Sequence, residues 1–270
     1  MKSYRQKIMD IIKADIITMN GSKNSMTTTL VMSIIMTIVS GFCINPAAGT
    51  MGCFMIGGLI VPTMFNSEMK NHGERLYGII PVERKELVTS RFIFCTAVFF
   101  IAEIAIYLMM LISLKTQLYN RIFENGELDF LKIVSDMTEN RMSPTGFFNL
   151  VYFASYSFGL KMMAWSLRSY LSDSKKYAQQ MMEATMGNSK MSKKDVITGV
   201  FVLAILVIFI LFLLGVIKIT AAIAVVVTLL FQLAQAANGL FLGLIFIIEA
   251  LFFLIYCYIS ALLTYEEKDI

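Results

Sequence analysis

The stretch FIFCTAVFFIAEIAIYLMMLISL, residues 92–114, contains one charge, Glu103, in 23 residues. Wound as an α-helix it is about 35 Å long at about 1.5 Å per residue, enough to cross a hydrocarbon core of about 30 Å. A second stretch, VITGVFVLAILVIFILFLLGVI at residues 196–217, contains no charge at all. Runs of this length and greasiness read as membrane-spanning helices. The whole chain agrees: of 270 residues 57% are hydrophobic and 16% charged, against about 45–50% and about 25% in an ordinary soluble domain. This excludes a disordered chain, a secreted disulfide scaffold and a nucleic-acid module. It predicts an all-α polytopic membrane protein.

Working outward, six spans are predicted at about residues 26–44, 49–65, 92–114, 146–167, 197–217 and 238–263. Residues 219–237 are also apolar. They read as a re-entrant segment before the last span, with a seventh span as the alternative. Lys and Arg number five in residues 1–25, five in 67–91 and six in 168–196, against four in 115–145 and Lys218 alone in its neighbourhood. That bias puts the N-terminus in the cytoplasm. With an even number of spans the tail 265–270 is cytoplasmic too, 115–145 is an outer loop and 168–196 an inner one. The six-span unit is then residues 26–264. Residues 1–25 stand apart: Ile8, Ile11, Ile12, Ile16 and Met19 recur at helical spacing, with Lys7, Asp10 and Lys13 elsewhere on the wheel. The pattern predicts an amphipathic helix in the inner interface, with packing on the cytoplasmic loops as the alternative.

Four cysteines, Cys43, Cys53, Cys95 and Cys257, sit in or beside apolar runs without metal-ligand spacing, and His72 is the single histidine. The inventory predicts no metal site, no catalytic triad and no intramembrane protease. Charges within spans are costly and face a bundle interior or a cavity. Thr96, Glu103 and Tyr107 share one face of the third span. Glu249, Tyr256 and Ser260 share one face of the last, with Asn238 on the same stripe. These stripes read either as walls of a translocation path or as interhelical packing devices. Lys161, with Trp165 and Arg168 on its side, reads as a lysine snorkelling to the inner headgroups. Gly49, Cys53 and Gly57, and the pair Gly239 and Gly243, mark close helix contacts.

The inner loop 67–91 is the most informative. Leu76, Ile79 and Ile80 form an apolar knob, Pro81 suits a first helical turn, and Glu83 favours the helix dipole. The string Leu76-Tyr77-Gly78-Ile79-Ile80-Pro81-Val82-Glu83-Arg84-Lys85-Glu86-Leu87-Val88 resembles the loop between the second and third spans of bacterial type-2 permease subunits of ATP-binding-cassette transporters. Ile80 stands where that pattern has leucine. The resemblance implies a dimer of permeases, as a homodimer or heterodimer, carrying two ATPase subunits. Leu76, Ile79, Ile80, Pro81, Arg84, Lys85 and Glu86 would couple to the ATPase. ATP and Mg would belong to that partner, because this chain has no GxxxxGK[ST] phosphate loop. The chain itself is therefore expected not to be an enzyme and to hold no cofactor. Members with this loop resemble exporters of amphipathic peptides, including the phenol-soluble-modulin group, in the bacterial plasma membrane. The implied cargo is an amphipathic or cationic peptide or another hydrophobic molecule, with membrane lipid around it and no nucleic acid. The alternatives are a non-transporting immunity or sensor subunit and a proton-coupled secondary transporter.

Overall fold

The computed structural model describes residues 3–20, 26–43, 46–71, 83–116, 143–173, 176, 177, 179 and 239–266. Among these residues the fold is helical throughout: α1 (Tyr4–Asn20), α2 (Met26–Cys43), α3 (Pro46–Asn71), α4 (Arg84–Thr116), α5 (Pro144–Ser172) and α6 (Leu240–Glu266). The fifth predicted span at 197–217 and the segment 219–237 lie outside the described residues, as does the outer loop between α4 and α5.

Local chemistry sets where several helices begin. Ser3 and Gln6 form a capping box at α1: Gln6 N–H donates to Ser3 Oγ at 3.4 Å and Ser3 N–H to Gln6 Oε1 at 3.0 Å. Glu83 caps α4, and Glu86, three residues on, turns back to accept from Glu83 N–H at 3.2 Å. Ser143 Oγ accepts from Gly146 N–H at 3.0 Å, with Pro144 in the first turn of α5. Helix α4 then continues unbroken for 33 residues. Among the described residues, α4 and α6 are long and apolar enough to cross a membrane, and shorter apolar stretches occur at Val31–Phe42 and Gly52–Phe65.

The core lies between α3, α4 and α5, where Ile56, Phe65, Phe99, Ile106, Leu160 and Met163 are almost fully buried. Packing of spans in lipid relies on close van der Waals fit, because lipid tails are as apolar as leucine. Small residues supply that fit. A Cβ on Gly57 would collide with the backbone of Gly159, and one on Gly159 would sit 2.7 Å from the Cys53 carbonyl oxygen. Helices α3 and α5 therefore cross with backbones nearly touching. Gly239, at φ +79°, lies against Gly146 of α5, and Gly243 against Phe153. Both glycine rows thus serve contacts within the chain.

The contacts also fix direction. Cys95 Sγ meets Met64 Sδ at 3.7 Å while Met110 packs at Gly49, so α4 runs antiparallel to α3. Gly239 sits by Gly146, Glu249 by Lys161, and Tyr256 by Arg168, so α6 runs parallel to α5. Helix α1 packs beside the start of α4, burying Ile8 and Ile11 and leaving Met9, Ile16 and Ile17 exposed.

Candidate functional site

The first turns of α4 form a polar knot with the ends of two other helices. Lys7 Nζ on α1 lies 2.8 Å from Glu86 Oε1 and 3.6 Å from Glu83 Oε1. The bond to Glu86 holds the Lys7 ammonium above its ordinary pKa. Tyr4 OH reaches Thr89 Oγ1 at 3.4 Å, and Thr89 Oγ1 lies 3.0 Å from the Tyr258 hydroxyl of α6. Arg84 donates to the Tyr265 carbonyl oxygen at 3.4 Å. Three residues of the predicted coupling segment are thereby located. Lys85 is exposed, Arg84 is half-buried beside α6, and Glu86 is turned inward to serve α1 and its own helix cap. Leu76, Ile79, Ile80 and Pro81 lie outside the described residues.

One turn further in, Arg91 is 2% exposed. Its guanidinium lies 4.7 Å from the Phe65 ring and 5.5 Å from the Tyr170 ring, and those rings stack on each other at 4.9 Å. Sequence reading had counted Arg91 only as an inner-loop cation. Its position four residues before Cys95 on a continuous helix is the signal that it enters the bundle.

The α4 stripe is divided among different neighbours. Thr96 faces a groove of about 480 Å³ between α4 and α6, lined also by Thr89, Phe100, Leu254, Ile255 and Tyr258. Glu103 is 1% exposed and faces α3 and α5 instead. Cys53 and Tyr152 lie beside its carboxylate. The Tyr152 hydroxyl, however, donates to the Glu103 backbone carbonyl at 3.0 Å, and neither carboxylate oxygen holds a well-formed hydrogen bond. Tyr107 donates to Asn149 Oδ1 at 3.2 Å and rests 4.7 Å from the Tyr152 ring.

The α6 stripe opens on another side. Glu249 forms an ion pair with Lys161 of α5, and Ser157 Oγ lies 3.4 Å from the same carboxylate oxygen, Oε2. The Lys161 side chain is 29% exposed and that of Glu249 55%. Tyr256 is exposed, with the Arg168 guanidinium 5.5 Å from its ring. Lys161 is thus held by a carboxylate on a neighbouring helix instead of reaching toward headgroups. Asn238 lies outside the described residues. The structure separates Glu103 from Glu249, placing Lys161 beside Glu249 and Arg168 beside Tyr256.

Among the described residues no three His, Cys, Asp or Glu side chains are grouped to hold a metal ion. The arrangement offers charge recognition and mechanical linkage. Residues 10–134, just under half of the chain, match the family model described as an ABC-2 family transporter protein. No curated protein and no solved structure matches the chain.

Proposed function

We propose that this chain is the membrane subunit of an ATP-binding-cassette exporter of the ABC-2 type, driven by separate ATPase subunits. The observation that carries the reading is the match over residues 10–134, which supports an ABC-2 permease and includes the whole of α3, the coupling loop and α4. Helix α4 supports it physically. It carries the coupling residues Arg84 and Lys85 on the same unbroken helix as Glu103, so displacement at one end reaches the interior without a joint between.

In this reading two permeases and two ATPases assemble in the bacterial plasma membrane with both permease termini cytoplasmic. ATP and Mg are bound by the ATPases. Closure of the ATPase pair pushes the 67–91 segment and turns α4. The cargo is an amphipathic, preferably cationic, peptide drawn by the carboxylates within the spans. Six spans suit the parallel course of α5 and α6. Two parallel spans require an odd number of crossings between them, and a single one by residues 197–217 supplies it.

The test is purification of the tagged full chain from its own cell, followed by reconstitution in vesicles. A co-purifying ATPase with a phosphate loop, whose turnover rises with a lysine-rich amphipathic peptide, is the expected result. An Arg84→Glu/Lys85→Glu chain should insert normally and lose the ATPase. Purification of the wild-type chain with no ATPase would overturn the reading.

A further inference from the structure

The Lys161–Glu249 pair is placed where an ion pair in lipid should not be. Lys161 lies about 25 Å along α5 from Pro144, and Glu249 about 14 Å along α6 from Leu240, at 1.5 Å per residue. Both positions fall within predicted spans, yet the carboxylate side chain is 55% exposed and the lysine 29%. Charges at such depth face a bundle interior or water. They are not alone. Trp165, one turn beyond Lys161, is 58% exposed, and Tyr256, two turns beyond Glu249, is 56% exposed beneath Arg168. An outward strip of alternating charge and aromatic rings therefore runs along the α5–α6 seam. Greasy residues dominate elsewhere on these helices, as at Phe158, Ile248 and Ile255.

The carboxylate is also incompletely satisfied. Lys161 and Ser157 both meet Oε2, and Oε1 has no partner among the described residues. A carboxylate has room for about four hydrogen bonds, so a second cation can be accepted beside or in place of Lys161. Aromatic faces nearby add attraction for the same ligand class, because ring quadrupoles favour ammonium and guanidinium groups.

We propose that the Lys161–Glu249 pair faces water as a charge-selective wall of the translocation path, and that a cationic group on the cargo takes the place of Lys161 on Glu249. Lys161 is then an internal competitor that keeps the carboxylate paired between cargo molecules and sets the threshold for exchange. The inference rests on the exporter reading above and deepens it by naming the carboxylate that selects the cargo and the lysine that opposes it.

Two measurements on the assembled full-length complex test it. In the first, Glu249→Cys and Lys161→Cys chains are treated with a membrane-impermeant charged methanethiosulfonate, which reacts with thiolate in water. Wild type, with Cys53, Cys95 and Cys257 buried and Cys43 also present, gives the background of the native thiols, and Ile104→Cys, exposed on α4, gives the response of a greasy surface. Labelling of both seam positions, slowed by a lysine-rich amphipathic peptide, is expected. Labelling no faster than at Ile104→Cys would overturn the proposal, since the seam would then be covered by lipid or by another protein.

In the second, vesicle transport is compared between the lysine-rich peptide and a glutamine-substituted neutral analogue. Lys161→Met should lower the KM for the cationic peptide about tenfold, the scale of a 1.4 kcal/mol difference, and leave the neutral one unchanged. The exchanged pair Lys161→Glu/Glu249→Lys keeps an ion pair and should fold, yet lose the preference for the cationic peptide. If the exchanged chain transports with the wild-type preference, the pair is only a packing device and the proposal fails. If wild type moves neither peptide, the exporter reading fails, while thiol labelling still decides whether the seam faces water.

Discussion

Lys7 Nζ on α1 sits 2.8 Å from Glu86 Oε1 on α4, and the glutamate side chain is only 2% exposed. The pair anchors the N-terminal helix to the start of α4. Lys7→Met leaves the buried carboxylate without its cation, which destabilises more than loss of a surface pair does. Unfolding of the solubilised protein should begin earlier in Lys7→Met and recover in part in Lys7→Glu/Glu86→Lys, which restores the ion pair but not the bond from Glu83 N–H. Equal stability of all three would show that α1 is not held by this bond. The pH course follows from the raised lysine pKa. A raised folded value gives stability that is complete below the unfolded pKa of 10.5 and is lost as pH rises through the folded value. The gap between wild type and Lys7→Met should therefore stay constant from neutral pH to about 10 and close above it.

Gly57 and Gly159 make the tightest helix crossing. Gly57→Ala should destabilise by about 1–3 kcal/mol, the usual cost of overpacking, because its Cβ meets backbone that cannot move aside. Gly58→Ala is the control: its Cβ would lie 3.4 Å from the tip of Met162, an ordinary contact. Thermal denaturation in detergent should separate the two variants, and equal melting would contradict the crossing.

Arg91 combines charge with a flat face beside the stacked rings of Phe65 and Tyr170. Arg91→Lys keeps the charge but loses the planar guanidinium. A desolvated cation–π contact is worth about 2 kcal/mol, so Arg91→Lys should lower stability by about that much. Detergent unfolding measures it, and a lysine variant as stable as wild type would remove the stacking role.

How much of this was legible in the sequence depends on how far apart the partners lie. The hydropathy of residues 92–114 marked the third span, and Glu83 with Pro81 pointed to a helix starting beside them; α4 begins at Arg84. The capping pair Ser3 and Gln6 is equally local, three residues apart at the start of α1. Periodicity placed Thr96, Glu103 and Tyr107 on one face but could not say what that face meets. A slight drift between a seven-residue step and the helix turn, with α3, α5 and α6 all packed against α4, sends them to different neighbours. Lys161 was the harder case. Its partner lies 88 positions away on α6, and nothing near residue 161 encodes that distance.

Glu103 is buried without a hydrogen bond on either carboxylate oxygen, an arrangement that costs about 1–3 kcal/mol. Glu103→Gln should keep or raise thermal stability and insertion while reducing peptide export. A variant that exports at the wild-type rate would assign Glu103 to packing alone.

At about 1.5 Å per residue, the 33 residues of α4 extend about 50 Å, whereas a hydrocarbon core is about 30 Å thick. Some 20 Å therefore projects beyond the lipid, and Arg84, Lys85, Glu86 and Arg91 place most of it at the N-terminal end of α4. The helix is a lever of unequal arms, with its fulcrum where α3 grips it between Met64–Cys95 and Gly49–Met110. A lever without a hinge trades no motion for slack. The stroke at the outer end is the push at the Arg84 end scaled by the ratio of the two arms, so shortening the pushed arm by one helical turn should enlarge the stroke for a given push while leaving every contact within the lipid in place.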